Sequence, residues 1–503
     1  MNVISGGQPA RSPRTLHELL DDAAAAAPGA PAVRDTEDGW TYSRLARLSH
    51  SFDGWLAERG VTPGDRVLVQ VPNGRELAAM LFGCSRRGAV LVPVNPGMKP
   101  FHLRSVLADC EPRIALVGDG TAGAIRELTE TEVHELHAVW PDVEDGRARG
   151  PGPQNVTGDD IAVLIYTSGS TAAPKGVICP QAQMVFAATA IGSMLGYRPD
   201  DVIFCRLPLS FDYGLYQILL ACLARAEVIV AGGGPDVTLL RQIRQADATV
   251  VPVVPSLASM LITLAGREGA GTPDRVRLFT NTGAALPQAT IEALRSRFPG
   301  ARVARMFGIT ECKRISIMRP ESERERPESV GLPLPGTEVV ILDDAGRRRP
   351  AGETGEIVVR GPHVMAGYWR APQITARTFR RDDRTGEVWL HTGDYGHLDT
   401  EGYLYFEGRR DDMFKHKGAR VSTLEIEAAA MDIPGVRGAL VAPPADGNNL
   451  EICVAADLPP HVILRELAAR LEPAKVPAAC HVVAEIPLTL NGKNERKNLP
   501  DLV

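Results

Sequence analysis

Apolar residues recur at helical spacing over Leu16 to Ala26, Arg44 to Arg59 and Glu76 to Arg87, and each stretch predicts an amphipathic helix. Between and after them lie short unbroken apolar runs, Val67 to Val71, Ala89 to Val94, Ile114 to Val117 and Ile161 to Ile165, of the length and composition of buried strands. Helices alternating with fully apolar strands predict an α/β architecture with largely parallel sheets. The segment Asp142 to Gly158 is polar and rich in Gly, Pro, Asp and Asn, and reads as a connection. From about Val330 the pattern changes to short strands, Val339 to Leu342, Glu356 to Val359 and Tyr403 to Phe406, parted by Asp-Gly and Gly-Glu turns.

After Gly408 a smaller unit is expected. Ser422-Thr423-Leu424-Glu425 has the spacing of a capping box opening a helix over Leu424 to Met431. Two apolar runs, Ala439 to Val441 and Glu451 to Ala455, and a helix over Val462 to Leu471 complete a compact α+β lobe. The predicted division is therefore a large multi-subdomain N-terminal domain, 1–408, and a small mobile C-terminal domain, 409–503. At 503 residues the chain exceeds what one core supports.

Composition narrows the partner. Hydrophobic residues make up 44% and charged residues 23%, and no run approaches a membrane span. The polar lead-in Met1 to Arg14 lacks the apolar core of a secretory signal, so a cytoplasmic location is expected. The net charge of −6 has both signs interspersed, which predicts neither nucleic acid nor a membrane surface as partner. The eight cysteines show no metal-ligand spacing and are expected to be reduced and buried. Only eight of the 55 basic residues are lysine: Lys99, Lys175, Lys313, Lys415, Lys417, Lys475, Lys493 and Lys497. A compact ammonium suits point contact with a phosphate or carboxylate oxygen, so each of the eight is a candidate for such a contact.

Directly after the strand Ile161 to Ile165 comes Tyr166-Thr167-Ser168-Gly169-Ser170-Thr171-Ala172-Ala173-Pro174-Lys175-Gly176. Four aliphatic hydroxyls, two glycines and one lysine can wrap a polyphosphate, although the spacing is not that of a Walker A loop. This order resembles the phosphate-binding signature of the adenylate-forming superfamily, which includes acyl-CoA synthetases, nonribosomal peptide adenylation domains and luciferases. Further segments follow in the family's order over about Leu16 to Leu499.

Phe307-Gly308-Ile309-Thr310-Glu311 is similar to the segment that would stack adenine on Phe307 and serve the phosphates and Mg²⁺ through Thr310 and Glu311. Glu311 offers the hard oxygen magnesium prefers. Asn281-Thr282-Gly283-Ala284-Ala285 resembles the segment beside adenine. His391-Thr392-Gly393-Asp394 resembles the motif whose aspartate holds the ribose. Gly408-Arg409-Arg410-Asp411 resembles the hinge, with Arg409 near the ribose and Asp411 as pivot. Lys415 and Gly418 fall where the family lines its thiol tunnel. Pro487 to Lys493 is similar to the terminal motif whose lysine bridges carboxylate and α-phosphate, a place where a cation favours two anions meeting. Ser170, Ala172 and Gln181 depart from residues common in the family, but Ser170 keeps a hydroxyl and Ala172 loses only backbone freedom.

Leu207 to Tyr216 resembles the start of the acyl pocket. By the resemblance Phe211, Asp212, Tyr213, Tyr216, Thr280, Thr282, Met306, Arg314 and Ile315 would line it, and Asp212 would bind the amine of an amino acid. Asp212 can equally be a helix N-cap, and Arg314 part of a structural ion pair. The lining favours a small polar or aromatic acid over a fatty chain.

The resemblance implies an AMP-forming ligase that uses ATP and Mg²⁺ to activate a small carboxylic acid. The acyl group would pass to a carrier protein acting in trans, since no carrier attachment site follows. The alternatives are free CoA as acceptor, nitrite activation, or an inactive nucleotide-binding protein.

Overall fold

The computed structural model describes residues 14–487 apart from 36–37, 147–154, 168–173, 234–235, 268–272, 383–384, 410–412, 417–418, 442–449, 472 and 474. The alternation of helices and apolar runs resolves into two large sheets with a helical layer between them. The first sheet orders its strands Glu132–Glu135, Ile114–Val117, Arg66–Gln70, Val90–Pro93, Ile161–Thr167 and Lys175–Pro180. All neighbours are parallel except the last pair, a hairpin. The second sheet has a parallel centre, in the order Arg302–Phe307, Leu278–Asn281, Val250–Val253, Val202–Cys205, Glu227–Val230 and Pro31–Arg34, with antiparallel strands at both ends.

Parallel strands are buried on both faces, which is why their runs are apolar without alternation. The helices Gln181–Leu195 and Asp212–Ala224 pack against each other. Asp212–Ala224 is buried almost all round, as a helix inside one core must be. One face of the first sheet shares that core with the second sheet, while the other face (Leu68, Val90, Val92) packs on the helix Pro100–Cys110.

A five-stranded antiparallel sheet follows, built on Glu338–Leu342, Gly355–Arg360, Val388–Leu398, Phe379–Arg381 and Leu404–Arg409. The C-terminal unit is α+β, as the sequence implies. Its sheet of Val436–Val441, Glu451–Ala456 and Ala479–Val483 packs with the helices Thr423–Met431 and Pro460–Arg470 around a separate core that includes Ile426, Ile452 and Ile463.

Most predicted elements fall within two residues of the observed ones, but two expectations need correction. Asp142 to Glu144 close the helix Leu136–Glu144 instead of opening a loop, because Val139, Trp140 and Val143 are buried and Trp140 stacks on Trp40 at 5.6 Å. Tertiary burial overrides local turn chemistry there. Likewise Tyr166, Thr167, Lys175 and Gly176 are strand residues paired across the hairpin, leaving a shorter loop. All eight cysteines are free and buried. No helix among the described residues is long and apolar enough to cross a membrane.

Candidate active site

In open α/β sheets ligands bind beyond the carboxyl ends of the parallel strands. At that edge of the second sheet, Val202–Cys205 leads into the loop 206–211 and the helix bearing Asp212, Leu278–Asn281 into Thr282 and Gly283, and Arg302–Phe307 into Gly308 to Arg314. Three of the segments singled out in the sequence therefore converge by topology.

The loop after Phe307 is tight. Ile315 N–H donates to the Phe307 carbonyl at 2.7 Å and Cys312 N–H to Ile309 at 3.1 Å, so the chain leaves and returns beside itself. A Cβ on Gly308 would stand 2.5 Å from the Lys313 carbonyl and 2.6 Å from Arg314 Cα, so only glycine fits. Lys313 itself has φ +67°, a conformation rare for a long side chain.

At the end of its strand Phe307 stacks on Phe406, ring centres 4.7 Å apart. The half-buried Glu311 accepts the Tyr368 hydroxyl at 2.6 Å. Burial pushes that phenol well up, and the Glu311 charge adds to it, so Tyr368 stays a donor. Lys175 Nζ lies 5.9 Å from the Tyr368 ring. Residues 365–369 are strapped to the hairpin through Ile178 N–H to Gly367 at 2.9 Å and Trp369 N–H to Gly176 at 2.8 Å, and to the Glu311 carbonyl through Met365 N–H at 2.8 Å. The ends of the hydroxyl-rich loop and Glu311 thus share one frame.

Asp394 is buried in the irregular stretch His391 to Asp394 of the strand Val388–Leu398, where the pairing register shifts, its N–H donating to Thr392 Oγ1 at 3.0 Å. Glu356 grips the same stretch, meeting His391 Nδ1 at 2.9 Å and accepting Gly393 N–H at 3.2 Å. Burial alone would raise the Glu356 carboxyl, yet His391 and the Gly393 amide hold it below its usual range. Arg409, opposite Asp394 across the sheet, places Nε 3.1 Å from Asp394 Oδ1.

The third cluster is buried and charged. Asp212 lies within the first turn of its helix, behind Phe211 as N-cap, and no side-chain cap bond forms, so the capping alternative does not hold. Its carboxylate lies 3.7 Å from Arg314 Nη1. Arg314 also donates to the Lys313 carbonyl and sits over the Tyr213 ring at 5.0 Å. Tyr213 hydroxyl meets Thr280 Oγ1 at 2.7 Å. Tyr216 and Thr282 are buried beside them, and the Thr282 hydroxyl has no partner among the described residues. Phe211 packs edge-on against Tyr213. Met306 and Ile315 are buried in the main core behind this group.

The entering loop is held from the other sheet, since Asn73 donates to the Leu207 carbonyl at 2.9 Å and accepts Leu209 N–H at 3.0 Å. A Cβ on Gly214 would meet the Pro208 carbonyl at 2.3 Å, so the helix can approach that loop only through glycine.

Two members of the cluster were not among the predicted site residues. Lys313 is fully buried, with Nζ 3.2 Å from Cys179 Sγ. The scarcity of lysine pointed to Lys313, whereas nothing in the sequence singled out Cys179. Thr167, Lys175, Thr310, Glu311, Gly283 and Ala284 are half-buried. Ser168, Gly169, Ser170, Thr171, Asp411, Gly418 and Lys493, and the side chain of Lys415, lie outside the described residues.

The profile of the AMP-binding enzyme family matches residues 20–369. The chain is 31% identical to sulfoacetate–CoA ligase of Cupriavidus necator, over 96% of this chain and 97% of that protein. It is 30% identical to L-proline–[L-prolyl-carrier protein] ligase of Streptomyces coelicolor, over 92% of each. Among solved structures it is 52% identical to VinN, with a TM-score of 0.75 over 79% of this chain and all of that one. VinN has also been solved with L-aspartate and with 3-methylaspartate. The chain belongs to the AMP-binding enzyme family, within the adenylate-forming superfamily, and is an AMP-forming ligase.

Proposed function

We propose that this enzyme adenylates an amino dicarboxylic acid of the aspartate type and delivers it to the pantetheine thiol of a separate carrier protein. The carrying observation is the buried cluster of one carboxylate, Asp212, with two cations, Arg314 and Lys313. Buried charges must be compensated. An ammonium on the substrate answers Asp212, and a second carboxylate answers Lys313 and Arg314. The carboxylate to be activated then points to the nucleotide end. A fatty or plain aromatic acid would leave Lys313 without a counter-charge and Asp212 with only its 3.7 Å contact to Arg314. The likeness to VinN, solved with two such acids, supports the same substrate class.

In this mechanism the substrate carboxylate attacks the α-phosphorus of ATP and pyrophosphate leaves. Phe307 offers its open face to adenine, Asp394 and Arg409 take the ribose, and Lys175 with the loop 168–171 holds the phosphates. Glu311 fits a magnesium ion, because the one described hydrogen bond to its side chain leaves oxygen lone pairs free. Mg²⁺ there supplies charge neutralisation for the departing pyrophosphate. Lys493 joins from the C-terminal unit, and rotation near Asp411 then brings Gly418 and Lys415 to the thiol.

The test is ATP–pyrophosphate exchange with L-aspartate, 3-methylaspartate, succinate, β-alanine, benzoate and a fatty acid. Exchange confined to the last two acids would end the proposal. The Streptomyces relative supports a carrier protein and the Cupriavidus relative supports CoA. Thioester analysis with each acceptor separates the two.

A further inference from the structure

Lys313 is fully buried in a strained backbone conformation. Its Nζ has no carboxylate within ion-pair distance among the described residues. It has the Cys179 sulfur at 3.2 Å and the Tyr216 ring at 5.9 Å. Left-handed backbone at a bulky residue is costly and persists only where the surroundings enforce it. The surroundings that enforce it hold the ammonium against a thiol and an aromatic ring.

Cys179 is fully buried on the strand Lys175–Pro180, and its S–H donates to the Val177 carbonyl at 3.5 Å. With the proton turned toward Val177, the sulfur lone pairs are left for Lys313. Burial pushes the Cys179 thiol up, and the neighbouring Lys313 offsets only part of that. The partner of Lys313 is thus a neutral thiol, a weak acceptor. An ammonium has three donors, and this contact uses one.

Resting on the amino dicarboxylate reading above, we infer that Cys179 is a specificity-determining positioning residue: it holds Lys313 Nζ toward the substrate's second carboxylate without cancelling its charge. The chemistry at position 179 decides what the lysine can do. A carboxylate there would neutralise Lys313 and compete with the substrate. An aliphatic side chain would leave the ammonium unanchored. Sulfur holds the direction and keeps the positive charge available. Arg314, paired with Asp212, is compensated within the protein, so Lys313 is the cation that requires the ligand.

The experiment compares the parent with Cys179→Ala, Cys179→Ser and Cys179→Asp in ATP–pyrophosphate exchange on L-aspartate, β-alanine and L-alanine. Cys179→Ala is expected to raise KM for aspartate about tenfold while kcat falls less than about threefold, the mark of lost ground-state positioning. Cys179→Ser, which keeps a neutral acceptor, recovers most of that loss. Cys179→Asp lowers kcat/KM for aspartate about 100-fold and raises it for whichever of β-alanine and L-alanine keeps the activated carboxyl.

Cys179→Asp retaining the parental preference would overturn the inference, as would Cys179→Ala raising KM for ATP as much as KM for aspartate. A thermal melt of each variant identifies one that has lost its fold, and the substrate preference of whichever of Cys179→Ala and Cys179→Asp stays folded then decides. A parent that exchanges with no amino dicarboxylate overturns the substrate reading, and this inference with it. A parent that does, with variants indistinguishable from it, overturns only the role of Cys179.

Discussion

Asp212 and Arg314 face each other at 3.7 Å with 5% of each side chain exposed. At that separation the contact is looser than a direct hydrogen bond, so the Asp212 carboxylate keeps lone pairs for a substrate ammonium. Asp212→Asn is expected to lower kcat/KM for aspartate about 100-fold or more, because it removes the charge that answers the substrate ammonium. Pyrophosphate exchange reads the loss. Succinate, which has no amine, should lose far less with the variant than aspartate does.

Gly308→Ala tests the crossing that aims Lys313. The new Cβ would sit 2.5 Å from a carbonyl oxygen, so the loop must shift. The expected result is a loss of about 1–3 kcal/mol in urea unfolding, with a KM for the acid that rises more than KM for ATP.

His363 gives a pH signature. It is fully buried, neither ring nitrogen has a partner among the described residues, and burial pulls it from 6.5 to about 4. Below pH 6.5 the unfolded chain takes a proton that the folded one refuses. Stability therefore falls as pH drops from 6.5 toward 4 and levels off below, a contribution of roughly 3 kcal/mol. In His363→Leu the unfolding free energy should lose that slope. An unchanged slope would assign it to other groups, of which His17, also pulled to about 4 by burial, is the first to examine.

Lys493→Ala addresses the terminal motif. Pyrophosphate exchange should fall by about 100-fold or more, since a cation at the developing charge acts mainly in the transition state. Thioester formation from a supplied acyl adenylate should persist. Equal loss in both half-reactions would remove Lys493 from its assigned role.

The α/β layers and the β-rich turn near Val330 were legible because buried parallel strands carry unbroken apolar runs and antiparallel ones carry turn signals. Leu16–Ala26 and Glu76–Arg87 match their expected bounds. The helix end at Asp142 to Glu144 was not legible, because what holds it is Trp140 against Trp40 one hundred residues away. Asp212, Thr310, Glu311 and Asp394 stood out as candidates because their neighbours form ordered motifs. Lys313 was visible only as a rare lysine, and Cys179 not at all. Their pairing arises where a hairpin of the first sheet meets a loop of the second, a juxtaposition no local pattern encodes.

Asn73 fastens the peptide groups of Leu207 and Leu209 from across the sheet boundary, so the wall of the proposed acid pocket is hung on a neighbour outside it. Efforts to retrain this enzyme for a different acid by exchanging wall side chains alone would inherit that suspension unchanged. Altering position 73 instead would move the whole wall at once.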